Sequence, residues 1–326
     1  MFFLKSDGKV CGILVTHIDD FLHCGNSLFL EKISNLCQRF LAGSQQEENF
    51  KYVGYQISQT RESIMLSQHD YIAQMNIPEI SAERKLMKEE KASDSEQSAF
   101  RAMVGSINWV VQSTRPDLAF ELTELSTRFQ SCSVNDIIQA QKLVMRIKSD
   151  MSRVCFPDLG PIQSWKLINY SDASFGNLSN GVSSARGSIT FITGNGRSAP
   201  ISWKSGKIKR VVKSTIAAEG LALCEGVADA VYLKSILSEI VSAELPVTAV
   251  TDHEGLYRNI HSTKLVDDKK LRIDLASLKE DLSRKVIDSV ELCSTDKMLA
   301  DSLTKRGTSG WKLLAVLQNG KFAGHQ

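Results

Sequence analysis

At 326 residues, with 42% apolar and 23% charged residues, the chain has room for two or three domains and ample core. A net charge of +2 excludes attraction to nucleic acid by bulk charge, so any basic footprint has to be local. Seven scattered cysteines without a C-x-x-C pair offer neither a zinc site nor a disulfide framework, and no apolar run is long enough to span a membrane.

The N-terminus reads as a strand (Met1 to Lys5), an Asp7-Gly8 turn, a strand (Val10 to Ile18) and a return strand over Phe21 to Cys24. Val10 to Ile18 has the look of a signal-peptide core, but the turn before it and the Asp19-Asp20 pair behind it favour a hairpin. Asn26 or Ser27 then caps a helix to about Phe40, with Leu30, Ile33, Leu36, Cys37 and Phe40 on one face. Strands follow over 52–58 and 64–67, then a short helix over 68–75. Residues 78–97 are charged and weakly periodic, which reads as a linker. Helices from Gln97 to Ser113, from Pro116 to about Gln130 and from Val134 to Ser149 make a helical module over 98–150, with Pro116 at a helix start, where proline is favoured. Residues 151–164, with Pro157, Gly160 and Pro161, read as a second linker.

The last domain, 165–306, reads β-β-β-α-β-α-α-β-α, with 307–326 as a tail. Its strands are expected at 166–172, 187–193, 200–204, 246–252 and 287–295. Its long helix is expected from Ser214-Thr215 to about Val241, with Leu221, Cys224, Ala228, Val231, Leu233, Ile236 and Ile240 as the apolar spacing.

Four carboxylates of this domain stand in distinct contexts: Asp172 at a strand tip, Glu219 near the start of the long helix, Asp252 at a second strand tip and Asp301 opening a short helix. A compact α/β domain can converge them on one site. By spacing alone they are four surface acids among thirty-seven Asp and Glu. Lys204, Lys207, Lys209, Arg210 and Lys213 form the strongest basic run; it either tracks a nucleic-acid backbone or is a solvated hairpin. His23, His69, His261 and His325 lack ligand spacing.

At these residues the chain resembles the Pol polyprotein of copia-type LTR retrotransposons. Leu14-Val-Thr-His-Ile-Asp-Asp20 is similar to the Y-V-D-D turn of the reverse transcriptase. Lys51-Tyr-Val-Gly54 through Met65-Leu-Ser-Gln68 is similar to K-Y-L-G…L-S-Q, and Phe100 to Ser106 with Thr114-Arg-Pro-Asp117 to Y-R-x-x-V-G-S…T-R-P-D. Tyr170-Ser-Asp-Ala173, Ile201-Ser-Trp-Lys204, Ser214-Thr215 with Ala218-Glu219, Thr251-Asp252 and Leu299 to Lys305 resemble the ribonuclease H domain. The matches occur in family order along nearly the whole chain.

The resemblance implies an α/β fold: a ribonuclease H-like mixed five-stranded sheet with flanking helices, preceded by a partial palm over 1–77 and a thumb-like helical connection. It implies that Asp172, Glu219, Asp252 and Asp301 are catalytic and hold two magnesium or manganese ions, that Asp19 and Asp20 are metal ligands of the palm, and that the partner is an RNA–DNA hybrid, with other Pol parts beside it. The compartment expected is cytoplasmic or particle-associated, and the oligomeric state stays open. The family's fingers and first palm half precede Y-V-D-D, so the chain is expected to be an N-terminally truncated copy without polymerase activity. Departures include His17 for Tyr, Gly220 beside Glu219, His253 where the family has Asn, and an irregular turn over Asn180 to Arg186. The second reading is a decayed remnant that binds nucleic acid or is inert. An integrase is disfavoured, because no His/Cys zinc module is present.

Overall fold

Two-residue turns shape the N-terminal part. The structure, a computed structural model, describes residues 1–178, 181–264, 266–307 and 310–322. Strands β1 (Phe2–Ser6), β2 (Lys9–His17) and β3 (Asp20–Gly25) form an antiparallel meander. Asp7 and Gly8 both take positive φ, which matches the twist of a tight hairpin. Helix α1 (Ser27–Arg39) is capped by Asn26, whose side chain accepts from the Phe29 N–H. Its buried residues are Phe29 and Ile33, packed on Leu14 with Leu36 and Cys37 alongside. Leu30 and Phe40, expected on that face, are exposed. One residue is a 100° turn in a helix, so the Phe29 row faces the sheet and the Leu30 row does not.

The strand expected over 52–58 is two strands. β4 (Asn49–Tyr52) and β5 (Tyr55–Gln59) are joined by Val53-Gly54, both at positive φ. β6 (Ser63–Ser67) follows, then α2 (His69–Gln74). Residues 78–97 are not an unstructured linker. They hold α3 (Ala82–Leu86), whose Arg84 pairs with Glu90 and Glu96, and a bridge between Lys91 and Ser133. The charged side chains of this segment are mostly exposed, and the order comes from Arg84, which gathers Glu90, Glu96 and the Lys91 carbonyl. Helix α4 (Asp94–Val111) opens on a Ser93/Glu96 capping box, and α6 (Val134–Ser149) on a Ser133/Asp136 box. Between them lie a 3-10 turn, Pro116–Leu118, and α5 (Ala119–Ser126), shorter than the helix expected to reach Gln130. The second expected linker contains β7 (Val154–Pro157), which pairs with β6 and completes a four-stranded sheet.

The remaining elements are β8 (Lys166–Ser174), β9 (Ala185–Gly194), β10 (Arg197–Lys207), α7 (Thr215–Val241), β11 (Val247–Thr251), α8 (Glu254–Ile260), α9 (Lys269–Ser283), β12 (Ser289–Leu292) and α10 (Gly310–Asn319). A 3-10 turn, Leu299–Leu303, precedes α10. The strand order β10-β9-β8-β11-β12 makes a mixed five-stranded sheet: β9 is antiparallel to β8 and β10, and β11 is parallel to β8 and β12. The α/β class and strand count match the expectation. Of the Asn180 to Arg186 turn, Asn180 lies outside the described residues, as does His325.

Both faces of this sheet are covered. On one face, Leu167, Ile192 and Ala249 pack with Leu223, Val227, Leu256 and Leu271. On the other, Ile189 and Phe191 join Phe100, Ile107 and Val110 of α4, Leu299 and Leu303 of the 3-10 turn, and Leu313 and Leu317 of α10. The expected tail over 307–326 is therefore in part a packed helix. The buried stripe of α7 is Ala218, Ala222, Leu223, Gly226, Val227 and Ala230, and Ala228 is exposed. Of the expected stripe, Leu221, Cys224, Val231 and Leu233 are partly buried against the core, and the row turned most directly to the sheet is offset from it. A Cβ on Gly226 would lie 2.1 Å from Ser171 Oγ, so glycine lets α7 lie directly on β8.

Arg115 and Asp117 form a fully buried ion pair at the start of the 3-10 turn, with Arg115 Nε 2.9 Å from Asp117 Oδ1 and its Nη2 2.8 Å from Oδ2. Removing one member of such a pair strands a charge. Arg115→Ala should therefore destabilise the chain by about 3–5 kcal/mol in urea unfolding. Glu280→Ala, which breaks the exposed Arg284–Glu280 pair, should change it by less than about 1 kcal/mol.

Candidate active site

Strand register builds the site. In the parallel pair β8·β11, Tyr170 lies opposite Val250. Continued by two residues, that register sets Asp252 beside Asp172, on strands about 4.8 Å apart. Glu219 comes in from α7, one turn after the Ser214 cap, and its Oε2 accepts from the Ala173 N–H at 3.2 Å. Asp301 comes from the Leu299–Leu303 turn. Oxygens of Asp172, Asp252 and Asp301 all lie within 4.8 Å of one another. Asp172 is 1% exposed and Glu219 5%, while Asp252 and Asp301 are half-buried at the mouth.

Gly187 allows the Asp301 segment to approach. It is the register partner of Asp172, and a Cβ there would lie 2.5 Å from Leu303 Cβ. Ser205 Oγ donates to the Leu303 carbonyl at 2.7 Å and Asn177 Nδ2 to the Thr304 carbonyl at 2.8 Å, which hold the segment in place. Thr304 Oγ1 hydrogen-bonds Asp172 Oδ2. Lys305 Nζ lies 2.6 Å from Asp301 Oδ1 and 3.3 Å from Asp172 Oδ1. Thr304, Lys305 and Gly187 were not singled out by the sequence analysis. The one signal for Lys305 was its place four residues after Asp301.

Crowding shows in the protonation of the cluster. Burial, then the charges of Asp172 and Asp252, push the Glu219 carboxyl up to about 9. Burial pushes Asp172 up to about 6, although Lys305 and the Thr304 hydroxyl pull it down. Burial lowers Lys305, but Asp172 and Asp301 outweigh it, so its ammonium is held well above the usual lysine range. The donor set is hard carboxylate oxygen, partly buried and short of positive charge, which fits a magnesium or manganese ion.

The other expected site residues lie elsewhere. Asp19 and Asp20 are exposed at the β2–β3 turn. Among the described residues no third acidic, histidine or cysteine ligand gathers with them. Their sheet docks on the far end of α7, where Lys5 pairs with Glu239 and Ser242 Oγ donates to the Gly8 carbonyl. Twenty helical residues separate Glu239 from Glu219, about 30 Å. The basic run divides. Lys204 pairs with Asp229 and Arg210 with Asp274, whereas Lys207, Lys209 and Lys213 are exposed and make no ion pair among the described residues.

Over 93% of its length the chain is 26% identical to the Retrovirus-related Pol polyprotein from transposon RE1 of Arabidopsis thaliana. It is 26% identical over 90% of its length to that from transposon TNT 1-94 of Nicotiana tabacum. These relatives are Pol polyproteins of copia-type retrotransposons, and the chain spans about a fifth of their length. No family model matches. Among solved structures, RNase H1 from Halobacterium salinarum NRC-1 is 16% identical and covers 43% of this chain and 94% of its own, with a TM-score of 0.33. LC11-RNase H1, solved in complex with an RNA/DNA hybrid, is 20% identical over 43% of this chain and 94% of its own, also at 0.33. Among the described residues, no helix is long and apolar enough to cross a membrane.

The raised acids set a pH dependence. Above about pH 4 the folded, metal-free chain keeps protons that the unfolded chain has lost, on Asp172 up to about pH 6 and on Glu219 up to about pH 9, so stability falls as pH rises through this range. The melting temperature in EDTA should drop from pH 5 to pH 9. Glu219→Gln should melt above wild type at pH 8 and flatten the slope. A profile unchanged by Glu219→Gln would remove Glu219 as the source.

Proposed function

We propose that 165–306 is a ribonuclease H-type hydrolase that cuts the RNA strand of RNA–DNA hybrids, within a chain derived from a copia-type Pol polyprotein. The observation that carries this reading is the convergence of Asp172, Asp252 and Asp301 within 4.8 Å, with Glu219 beside them. The similarity to Pol polyproteins of transposons supports it. Asp172, Glu219, Asp252 and Asp301 would hold two magnesium or manganese ions. Bound there, the metal would supply charge stabilisation at the phosphate and an activated water. The chain itself orients the carboxylates: Ala173 N–H and Thr304 fix Glu219 and Asp172, while Asp252 and Asp301 stay open at the mouth. Lys207, Lys209 and Lys213 would grip phosphates of the hybrid, giving binding that weakens with salt.

Asp172→Asn keeps shape but removes a ligand charge. The full chain with magnesium should cleave a hybrid and not RNA or DNA duplexes, and Asp172→Asn should lower the rate by at least about 100-fold while melting normally. Equal rates in both proteins would place the activity outside this cluster. The rival reading, an inert or merely nucleic-acid-binding remnant, draws on Lys305, which already neutralises part of the cluster. It expects hybrid binding without cleavage by wild type.

For the N-terminal part, we propose a palm remnant with a thumb-like connection over 98–150. Two adjacent exposed carboxylates, with no third ligand gathered at them among the described residues, are a poor metal pair site. Purified chain should therefore extend no primer on an RNA template. Extension that Asp19→Asn with Asp20→Asn abolishes would contradict this.

A further inference from the structure

Lys305 is the residue of the cluster whose role the hydrolase reading does not use. Its ammonium touches Asp301 and Asp172, two of the three carboxylates whose oxygens converge. It is delivered by a segment fixed at several points: Ser205 on Leu303, Asn177 on Thr304, and Thr304 on Asp172. The Lys305 side chain is 35% exposed while that of Asp172 is 1% exposed, so the cation sits at the mouth with a path to solvent and its anchor lies below.

Buried carboxylates that repel need a positive charge nearby. Lys305 supplies it from within the chain. A divalent cation would need the same oxygens, and an oxygen lone pair given to an ammonium hydrogen is not given to a metal. We propose that Lys305 is a built-in counter-cation that competes with the divalent metal for Asp172 and Asp301, holding the metal-free cluster folded and weakening metal affinity. The inference rests on reading the cluster as a metal site.

Competition gives one substitution two effects of opposite sign. Loss of Lys305 should lower stability without metal and raise affinity for metal. A lysine that merely packs would lower both or leave affinity alone, and one that serves only a substrate phosphate would leave affinity unchanged in the absence of substrate.

The test is a calorimetric titration of full-length chain with manganese and with magnesium, without nucleic acid, for wild type, Lys305→Ala, Lys305→Arg and Asp172→Asn. Melting temperatures in EDTA and at saturating metal accompany it. Lys305→Ala should bind roughly tenfold or more tightly than wild type. It should melt lower in EDTA and recover the difference at saturating metal. Lys305→Arg, which keeps the charge, should bind within about threefold of wild type. If Lys305→Ala does not fold without metal, Lys305→Gln, which keeps much of the stem, takes its place. Binding that depends on Asp172 but is unchanged or weaker without Lys305 overturns the competition and leaves the metal site standing. No binding by wild type, or binding indifferent to Asp172→Asn, overturns the metal reading and the competition together.

Discussion

Parallel pairing of β8 with β11 puts two carboxylates side by side at the tips of neighbouring strands, and the rest of the domain accommodates that repulsion. Strand tips that carry like charges would splay if the sheet were free on either face. Here α7 and α9 pack one face, and α4, the Leu299–Leu303 turn and α10 pack the other. Burial of this apolar surface, at about 25 cal/mol per Å², opposes the local electrostatic cost. Within the cluster, the Ala173 N–H answers Glu219, the Thr304 hydroxyl answers Asp172, and the Lys305 ammonium answers Asp301 and Asp172.

The helical module is a wall of the five-stranded α/β domain rather than a neighbour on a tether. Trp203 of β10 donates its Nε1–H to the Val111 carbonyl at 3.0 Å, Thr123 and Ser205 share a hydrogen bond, and Arg306 pairs with Glu124. The buried Arg115–Asp117 pair lies against α10, with Gly310 placed so that a Cβ would sit 3.0 Å from Asp117 Cβ. Leu299 and Leu303, two residues either side of Asp301, belong to the core that 98–150 shares with the sheet.

Two departures from the family pattern have local physical accounts. His253, standing where the family has Asn, caps α8: its Nδ1 accepts from the Leu256 N–H at 3.0 Å, as an Asn oxygen would. Gly220 carries the ordinary helix penalty of roughly 1 kcal/mol, yet a Cβ there would lie 2.9 Å from Leu271 Cδ1, so the glycine lets α7 and α9 close together. Neither change displaces a candidate ligand.

What the sequence by itself determined is whatever depends on neighbours along the chain. The Asp7-Gly8 turn, the Asn26 and Ser214 caps, the bounds of α6 and the order of the five strands follow from turn chemistry, capping and periodicity, which act over a few residues. The grouping of Asp172, Asp252 and Asp301, with Glu219 held on the neighbouring Ala173 N–H, was legible only through motif resemblance, since thirty-seven acids offer many sets. Tertiary structure decided the rest. It set the buried stripe of α7 on Ala218, Ala222, Leu223, Gly226, Val227 and Ala230, with the closest approach to β8 where Gly226 meets Ser171. It turned Val154–Pro157 of the 151–164 stretch into the fourth strand of a sheet, since β6, paired with β5 along one edge, offered its other edge beside it. It split the basic run, because Asp229 and Asp274 face Lys204 and Arg210 from helices distant in sequence. And it brought Lys305 onto Asp172, 133 residues away, a contact that exists only once the sheet, the Gly187 gap and the Leu299–Leu303 turn are assembled, because charge pairing across a fold is set by packing and not by spacing along the chain.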